Sequence, residues 1–289
     1  MGHGGYSSDS RTLRASAMGY ATKSRQEIFS SKSMNNAMNP NGMDVRESRD
    51  SDEHPLSVAI VLALDVTGSM GSIPHHLVKE GLPEVMEGIM KRGEKDPQVL
   101  FLGIGDHEFD RAPLQVGQFE SSDELLDKWL TDIYLEGGGG GNDGESYMLA
   151  WYFAWKHTSI DCFEKRGRKG YLFTVGDEPV LHDMPSRALK AIMGDGQYSD
   201  MSSLELLDKA REKYEVYHLH IKQGSNGRRQ DIMDGWKQMM GDGLRIVENH
   251  LDVPRVIAEI VAGGANAQQT SQPASEPEKV DEPAEEVML

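Results

Sequence analysis

The sequence predicts an α/β fold: a doubly wound, mostly parallel, Rossmann-like sheet with helices on both faces. Three observations carry this expectation. Continuous apolar runs rich in β-branched residues recur along the chain, at LSVAIVLAL (56–64), VLFLGIG (99–105), GYLFTVG (170–176) and YEVYHLHI (214–221), as strands covered on both faces require. Stretches with helical apolar spacing separate them, and such alternation builds a mainly parallel sheet. The length of 289 residues suits one large domain with appendages.

Each element has its own signal. After the first strand, Ser72 has the character of a helix N-cap, with Pro74 just inside. Leu77, Val78, Leu82, Val85, Met86, Ile89 and Met90 then share one helical face, which Pro83 is expected to kink. LQVGQF (114–119) follows a proline and reads as an edge strand. Ser121 and Glu124 have capping-box spacing before a helix carrying Leu125, Leu126, Trp129, Leu130 and Ile133. Met148, Trp151, Tyr152 and Trp155 mark an aromatic core helix, Trp236, Met239 and Met240 another, and Val256, Ile257, Ile260 and Val261 the last. LRIV (244–247) is a short final strand.

The expected domain lies at 54–262, between two appendages. Residues 1–53 are rich in Ser, Asn, Met and Gly, and up to Met43 carry five basic residues against two acidic ones. This reads as a flexible basic arm; the alternative is an extension wrapped on the acidic body and anchored by Ile28-Phe29. Residues 263–289 are Pro-, Ala-, Gln- and Glu-rich, the composition of an acidic disordered tail.

The charge of −17 argues against an electrostatic grip on nucleic acid or anionic lipid. It favours metal cations or a basic partner surface. A single cysteine, Cys162, excludes an internal disulfide and a Cys-based metal site. The longest apolar run, Val58 to Leu64, is far short of a membrane span. The first residues lack a secretory apolar stretch, and Tyr6 stands where myristoylation wants Ser or Thr. The expectation is a soluble, cytoplasmic protein.

In open α/β sheets ligands sit outside the carboxyl ends of the strands, where strand order reverses. The first strand ends in Asp65-Val66-Thr67-Gly68-Ser69, the second in Gly105-Asp106-His107-Glu108 and the third core strand in Gly176-Asp177-Glu178; a glycine run leads into Asn142-Asp143-Gly144-Glu145-Ser146. Carboxylates and hydroxyls without thiols suit a hard cation such as Mg²⁺ or Mn²⁺. Helix capping is the plainer explanation of the Asp65–Ser69 stretch by itself. Asp106, His107 and Asp110 either orient metal-bound water or form a turn that satisfies its own amides. His218 and His220 share one side of a strand and read as core packing.

DVTGSM after an apolar strand resembles the metal-ion-dependent adhesion site of von Willebrand factor type A (VWA) domains, whose motif is Asp-x-Ser-x-Ser. Asp65, Thr67 and Ser69 match it, and Asp177 matches the family's later Asp. The resemblance spans roughly residues 54–262. It departs in the middle loop, where the family supplies a Thr and none lies between Thr131 and Thr158; Asn142 or Asp143 takes that place, Asp143 being preferred. The resemblance implies a metal set of Asp65, Thr67, Ser69, Asp143 and Asp177. It also implies a non-enzymatic module that binds an acidic residue of a partner protein through the ion, with MoxR-type AAA+ ATPases among the partners of similar bacterial proteins.

Two alternatives compete. A Mg²⁺-dependent phosphohydrolase of the haloacid dehalogenase type also begins with an Asp at a strand end, but needs a second carboxylate where Thr67 stands. A VWA scaffold with a vestigial metal site would explain the missing loop threonine. A P-loop or dinucleotide reading fails for lack of its motif.

Overall fold

The computed structural model describes residues 4–68, 70, 72–136 and 142–269. Its centre is a six-stranded sheet of β1 (Val58–Asp65), β2 (Pro97–Ile104), β3 (Leu114–Val116), β4 (Gly170–Gly176), β5 (Tyr214–Ile221) and β6 (Leu244–Val247), in the spatial order β6-β5-β4-β1-β2-β3. All neighbours are parallel except β3, which runs antiparallel to β2 at one edge. From β1 the chain builds outward through β2 and β3, then returns to the other side of β1 to lay down β4, β5 and β6. Strand order therefore reverses between β1 and β4, and a crevice forms at the carboxyl ends of those two strands. Their register, Leu64 opposite Val175, brings Asp65 level with the end of β4.

Helices cover both faces, and the alternation of β1 shows why every residue of it is apolar up to Asp65. Val58, Ile60, Leu62 and Leu64 pack under α2 (Leu82–Lys91), α3 (Asp123–Thr131) and α7 (Val253–Gln269). Ala59, Val61 and Ala63 face α4 (Met148–Lys156), α5 (Ser203–Lys213) and α6 (Gln230–Met240). Period-two alternation with both faces apolar is what a sheet buried between two helical layers demands. Ahead of α2, Leu77–Gly81 forms a π-helical turn in which the Leu82 amide bonds Leu77 O. Pro83 follows directly, and its missing N–H accounts for the displaced ladder. The N-cap of α3 is Ser122, whose Oγ accepts from the Leu125 amide at 3.3 Å. Glu124 thus falls one position short of the capping-box site expected from Ser121.

The N-terminal stretch, expected as a flexible arm, carries defined elements and packs on the body. A helix, α1 (Ser8–Met18), is pinned by the buried ion pair Arg11 Nε–Asp127 Oδ1 (2.8 Å) and by Arg14 Nη2–Asp123 Oδ2 (2.6 Å), both acids belonging to α3. Arg11 Nη2 also donates to Val78 O. Tyr20, Ile28, Phe29 and Met38 are buried in the core, so the Ile28-Phe29 anchor is realised. Arg46–Ser48 then pairs in parallel with Thr158–Ile160 as a two-stranded ribbon. The arm's basic charge is what the acidic face of α3 neutralises. At the other end α7 continues through Gln269; the rest of the expected acidic tail, 270–289, lies outside the described residues, as do Ser69 and the glycine run 137–141.

Candidate functional site: an acidic rim at the strand switch

Asp65 ends β1 and is fully buried. Its Oδ1 accepts two hydrogen bonds from Thr67, from the amide at 2.9 Å and from Oγ1 at 2.6 Å, and its Oδ2 accepts one from the Tyr147 hydroxyl at 3.1 Å. The first two close the turn that reverses the chain after β1. Burial pushes the carboxyl up to about 7; Thr67 and Tyr147 pull against that rise, and the charge of Asp177 adds to it.

Asp177 follows β4 directly and is likewise buried. Its Oδ2 accepts from the Asn226 amide at 2.8 Å, whereas its buried Oδ1 has no hydrogen-bond partner among the described residues. Burial raises its pKa above the usual carboxylate range. Two glycines make room for this arrangement. A Cβ at Gly176 would lie 1.9 Å from the Tyr147 hydroxyl, and one at Gly224 would lie 2.2 Å from Asp177 Oδ2. Any larger residue at either position would displace the acids.

A third acid, Glu145, belongs to the same rim and was missed by reading the sequence. It is 6 % exposed, and its Oε2 is buried with no partner among the described residues. Burial, then the charges of Asp65, Asp110, Asp106 and Glu178, push it up to about 10. Its backbone is fixed by reciprocal bonds, the Glu145 amide to Pro179 O and the Leu181 amide to Glu145 O. These lash the middle loop to the segment that follows Asp177. The available signal was position: Glu145 lies three residues before α4, whereas the preferred Asp143 lies five before it.

Asp143 itself is placed differently. Its side chain is 87 % exposed, with Oδ2 4.0 Å from Arg229 Nη1, and no bond joins it to Asp65 or Asp177. Asn142 Nδ2 donates to Glu108 Oε2 at 2.8 Å. Of the five residues in the expected metal set, the structure brings together Asp65 and Thr67, with Asp177 close enough to Asp65 to raise its pKa; Ser69 lies outside the described residues. Arg25 of the N-terminal stretch reaches the same turn, its Nη1 donating to Gly68 O at 3.5 Å.

The neighbouring loop resolves in favour of a self-satisfied turn. Asp110 Oδ2 accepts from the Asp106 amide and Asp106 Oδ1 from the Glu108 amide, each at 2.8 Å, while the His107 ring and amide both engage Ser146 Oγ. His218 and His220 are buried core residues. His218 stacks on Trp236 with centroids 3.6 Å apart, and its Nδ1 pairs with Thr174 Oγ1 at 2.9 Å. Burial, then His220, hold its pKa well below the ordinary value. This neutral aromatic floor, with Tyr147 packed edge-on against both rings, lowers the dielectric under the acids.

Acids desolvated together, two with orphaned oxygens, have a donor set that fits a hard divalent cation. Two hydroxyls, from Thr67 and Ser69, would complete it. Among the described residues no group of three or more His, Cys, Asp or Glu side chains is arranged to hold a metal ion by itself.

No helix among the described residues is long and apolar enough to cross a membrane. No family model and no curated protein matches the sequence. Among solved structures the chain is similar to the pilus adhesin SpaC of Lactobacillus rhamnosus GG, with TM-score 0.48 and 13 % identity over 74 % of this chain and 31 % of that one. It is also similar to proximal thread matrix protein 1 of the mussel byssus (TM-score 0.47, 11 % identity, 76 % of this chain and 49 % of that one). A third likeness is to the conserved hypothetical protein BatB of Bacteroides thetaiotaomicron (TM-score 0.43, 13 % identity, 72 % and 99 %). The chain thus spans about a third of the adhesin's length and half of the thread protein's. Identities this low bear on the fold alone, and the TM-scores make even that likeness loose.

Proposed function

We propose that the chain is a VWA-type protein-interaction module whose rim binds Mg²⁺ or Mn²⁺ and, through the ion, an acidic residue of a partner protein. The observation that carries this reading is the pair Asp65 and Asp177, buried together at the carboxyl ends of β1 and β4 with one oxygen of Asp177 unpartnered. Buried carboxylates without compensating charge are costly, and a dication relieves that cost. Thr67 and Ser69 would contribute neutral hydroxyls, Asp65 and Asp177 direct or water-mediated contacts, and Glu145, better placed than Asp143, a further acid. The bound ion would supply a Lewis-acidic position for the incoming carboxylate. Arg25, held at Gly68 O, gives that acid a second positive neighbour.

Among the described residues, Asp65 does not offer the free carboxylate oxygen that the phosphohydrolase reading needs as nucleophile. Asp65 is engaged on both oxygens and Thr67 occupies the general-acid position of the dehalogenase scheme, which supports recognition over turnover. A MoxR-type ATPase remains a partner to try first, on the strength of the resemblance alone.

One observation favours a second reading. Asp65 and Glu145 have pKa values lifted to about 7 and about 10, so protons can neutralise the rim with no metal present. The experiment that separates the two is a melting-temperature titration with Mg²⁺ and Mn²⁺ near pH 7.5, repeated on Asp65→Asn. Binding to the native state alone raises Tm once the ion exceeds its dissociation constant. The adhesion reading expects a rise in the parent and none in the variant; no rise in the parent assigns the rim to protons.

A further inference from the structure

A groove of about 640 Å³ lies beside the acidic rim, bounded by the segment after Asp177, the start of α5 and one face of α6. Its floor and walls include Val180, Leu204, Ile232, Trp236 and Met239. Its size and lining match those of sites that bury apolar groups. Leu204, on its lip, is 56 % exposed, a large apolar side chain that no element among the described residues covers. None of the acids that form the rim is needed to build it.

Gly235 shows that room is kept there. It stands in the middle of α6 and lines the groove, and a Cβ added to it would meet nothing within 4 Å. Its conformation is helical, so the turn does not require glycine. A glycine inside a helix costs about 1 kcal/mol relative to alanine, and no neighbour in the fold accounts for that cost. A ligand that approaches the helix backbone would.

The charges around the groove choose among ligands. Asp143, Asp183 and Asp231 face it against one cation, Arg229, which is already engaged by Asp231 at 2.7 Å and faces Asp143 at 4.0 Å. The border is therefore net acidic on a protein that is itself strongly acidic. The chain's own C-terminal segment, which carries six acids against Lys279, is a poor match by like-charge repulsion.

We infer that this groove docks a segment of another protein that presents a large apolar side chain flanked by Lys or Arg. The apolar group enters between Leu204 and Gly235, and the flanking cations meet Asp183 and Asp231. This is a second contact surface, separate from the proposed metal-bound carboxylate and needing no ion.

The test pans a displayed random-peptide library on the full chain in EDTA, so that failure of the metal reading does not affect it. Enriched peptides are expected to combine an aromatic or large aliphatic residue with neighbouring Lys or Arg. Synthetic versions should bind the parent at least about tenfold more tightly than Gly235→Leu, which fills the groove, and than Leu204→Ala, which removes its lip. Gly235→Leu should melt no lower than the parent, since it replaces glycine in a helix with open space above it; Leu204→Ala, at an exposed position, should melt with the parent. Absence of enrichment, acidic consensus peptides, or binding unchanged in both variants overturns the inference.

Discussion

The Tyr147 hydroxyl, at the threshold of α4, donates 3.1 Å to Asp65 Oδ2 at the end of β1, and the absence of a side chain at Gly176 is what lets it do so. One hydrogen bond thus couples a helix of one layer to the acid on which the rim depends. Tyr147→Phe is expected to leave Oδ2 without a donor and to cost about 1–2 kcal/mol of stability. Gly176→Ala drives a methyl into the hydroxyl and is expected to cost more, about 2–3 kcal/mol. In the Gly176→Ala background, Tyr147→Phe should cost less than it does alone. Denaturant unfolding of the two single variants and the double variant measures this, and simple additivity would show that the two positions are uncoupled.

Asp65 gives a pH dependence of known sign. Its folded pKa, lifted mainly by burial to about 7, lies above its unfolded value, so the folded state holds a proton that the unfolded state releases. In the metal-free protein its stabilising contribution is complete below about pH 4 and is lost as pH rises through 7. Asp65→Asn keeps an acceptor for Thr67 without the charge. In EDTA at pH 8 it should be more stable than the parent by on the order of 1–3 kcal/mol, and the gap should close by pH 4–5. Tm measured against pH decides it; a variant less stable than the parent at both ends would contradict the assignment.

Asp161 has the opposite sign. Burial resists its ionisation, but Lys165, the Asp50 amide and Arg49 outweigh it and hold the pKa at about 2. A depressed carboxylate contributes stability above its unfolded pKa and loses it as pH falls through the folded one. Between about pH 4 and 2 the parent should lose about 1–2 kcal/mol that Asp161→Asn does not lose, after allowance for solvent screening. Acid titration of the two proteins by circular dichroism tests this.

Arg11 is expected to be the most sensitive position of the N-terminal stretch. Its side chain is 1 % exposed and pairs with Asp127, itself 3 % exposed. Arg11→Ala leaves a buried carboxylate with only Arg14 nearby, a change worth about 3–5 kcal/mol. Adding Asp127→Asn should recover part of the loss, since the orphaned charge is the larger part of the cost. If Arg11→Ala unfolds at the parent's denaturant midpoint, α1 is not part of the cooperative core.

The central sheet could be read from the chain because strands buried on both faces leave an unbroken apolar run, as in Val58–Leu64. Asp65 and Asp177 were legible for the same reason: each is the first acid after such a run, and strand ends in this topology face one crevice. Glu145 was not, because its loop has no periodicity, and it differs from the two candidates weighed, Asn142 and Asp143, only in lying nearer a helix start that sequence places to within a residue or two. The same imprecision moved the α3 cap from Ser121 to Ser122. The packing of the N-terminal stretch was legible only as an alternative, through the apolar pair Ile28-Phe29. The Arg11–Asp127 bond was not legible, because no local pattern encodes a contact with a distant helix.

The ribbon between Arg46–Ser48 and Thr158–Ile160, with the adjoining Arg49–Asp161 bond closing a separation of 112 residues, has a consequence for synthesis. The Arg46–Arg49 segment is synthesised long before its partners exist, so it waits, unpaired, until Thr158–Asp161 has emerged. At ordinary elongation rates of about 5–20 residues per second that delay lasts several seconds. In that interval Arg49 lacks the carboxylate of Asp161, and the ribbon can close only at the end of it.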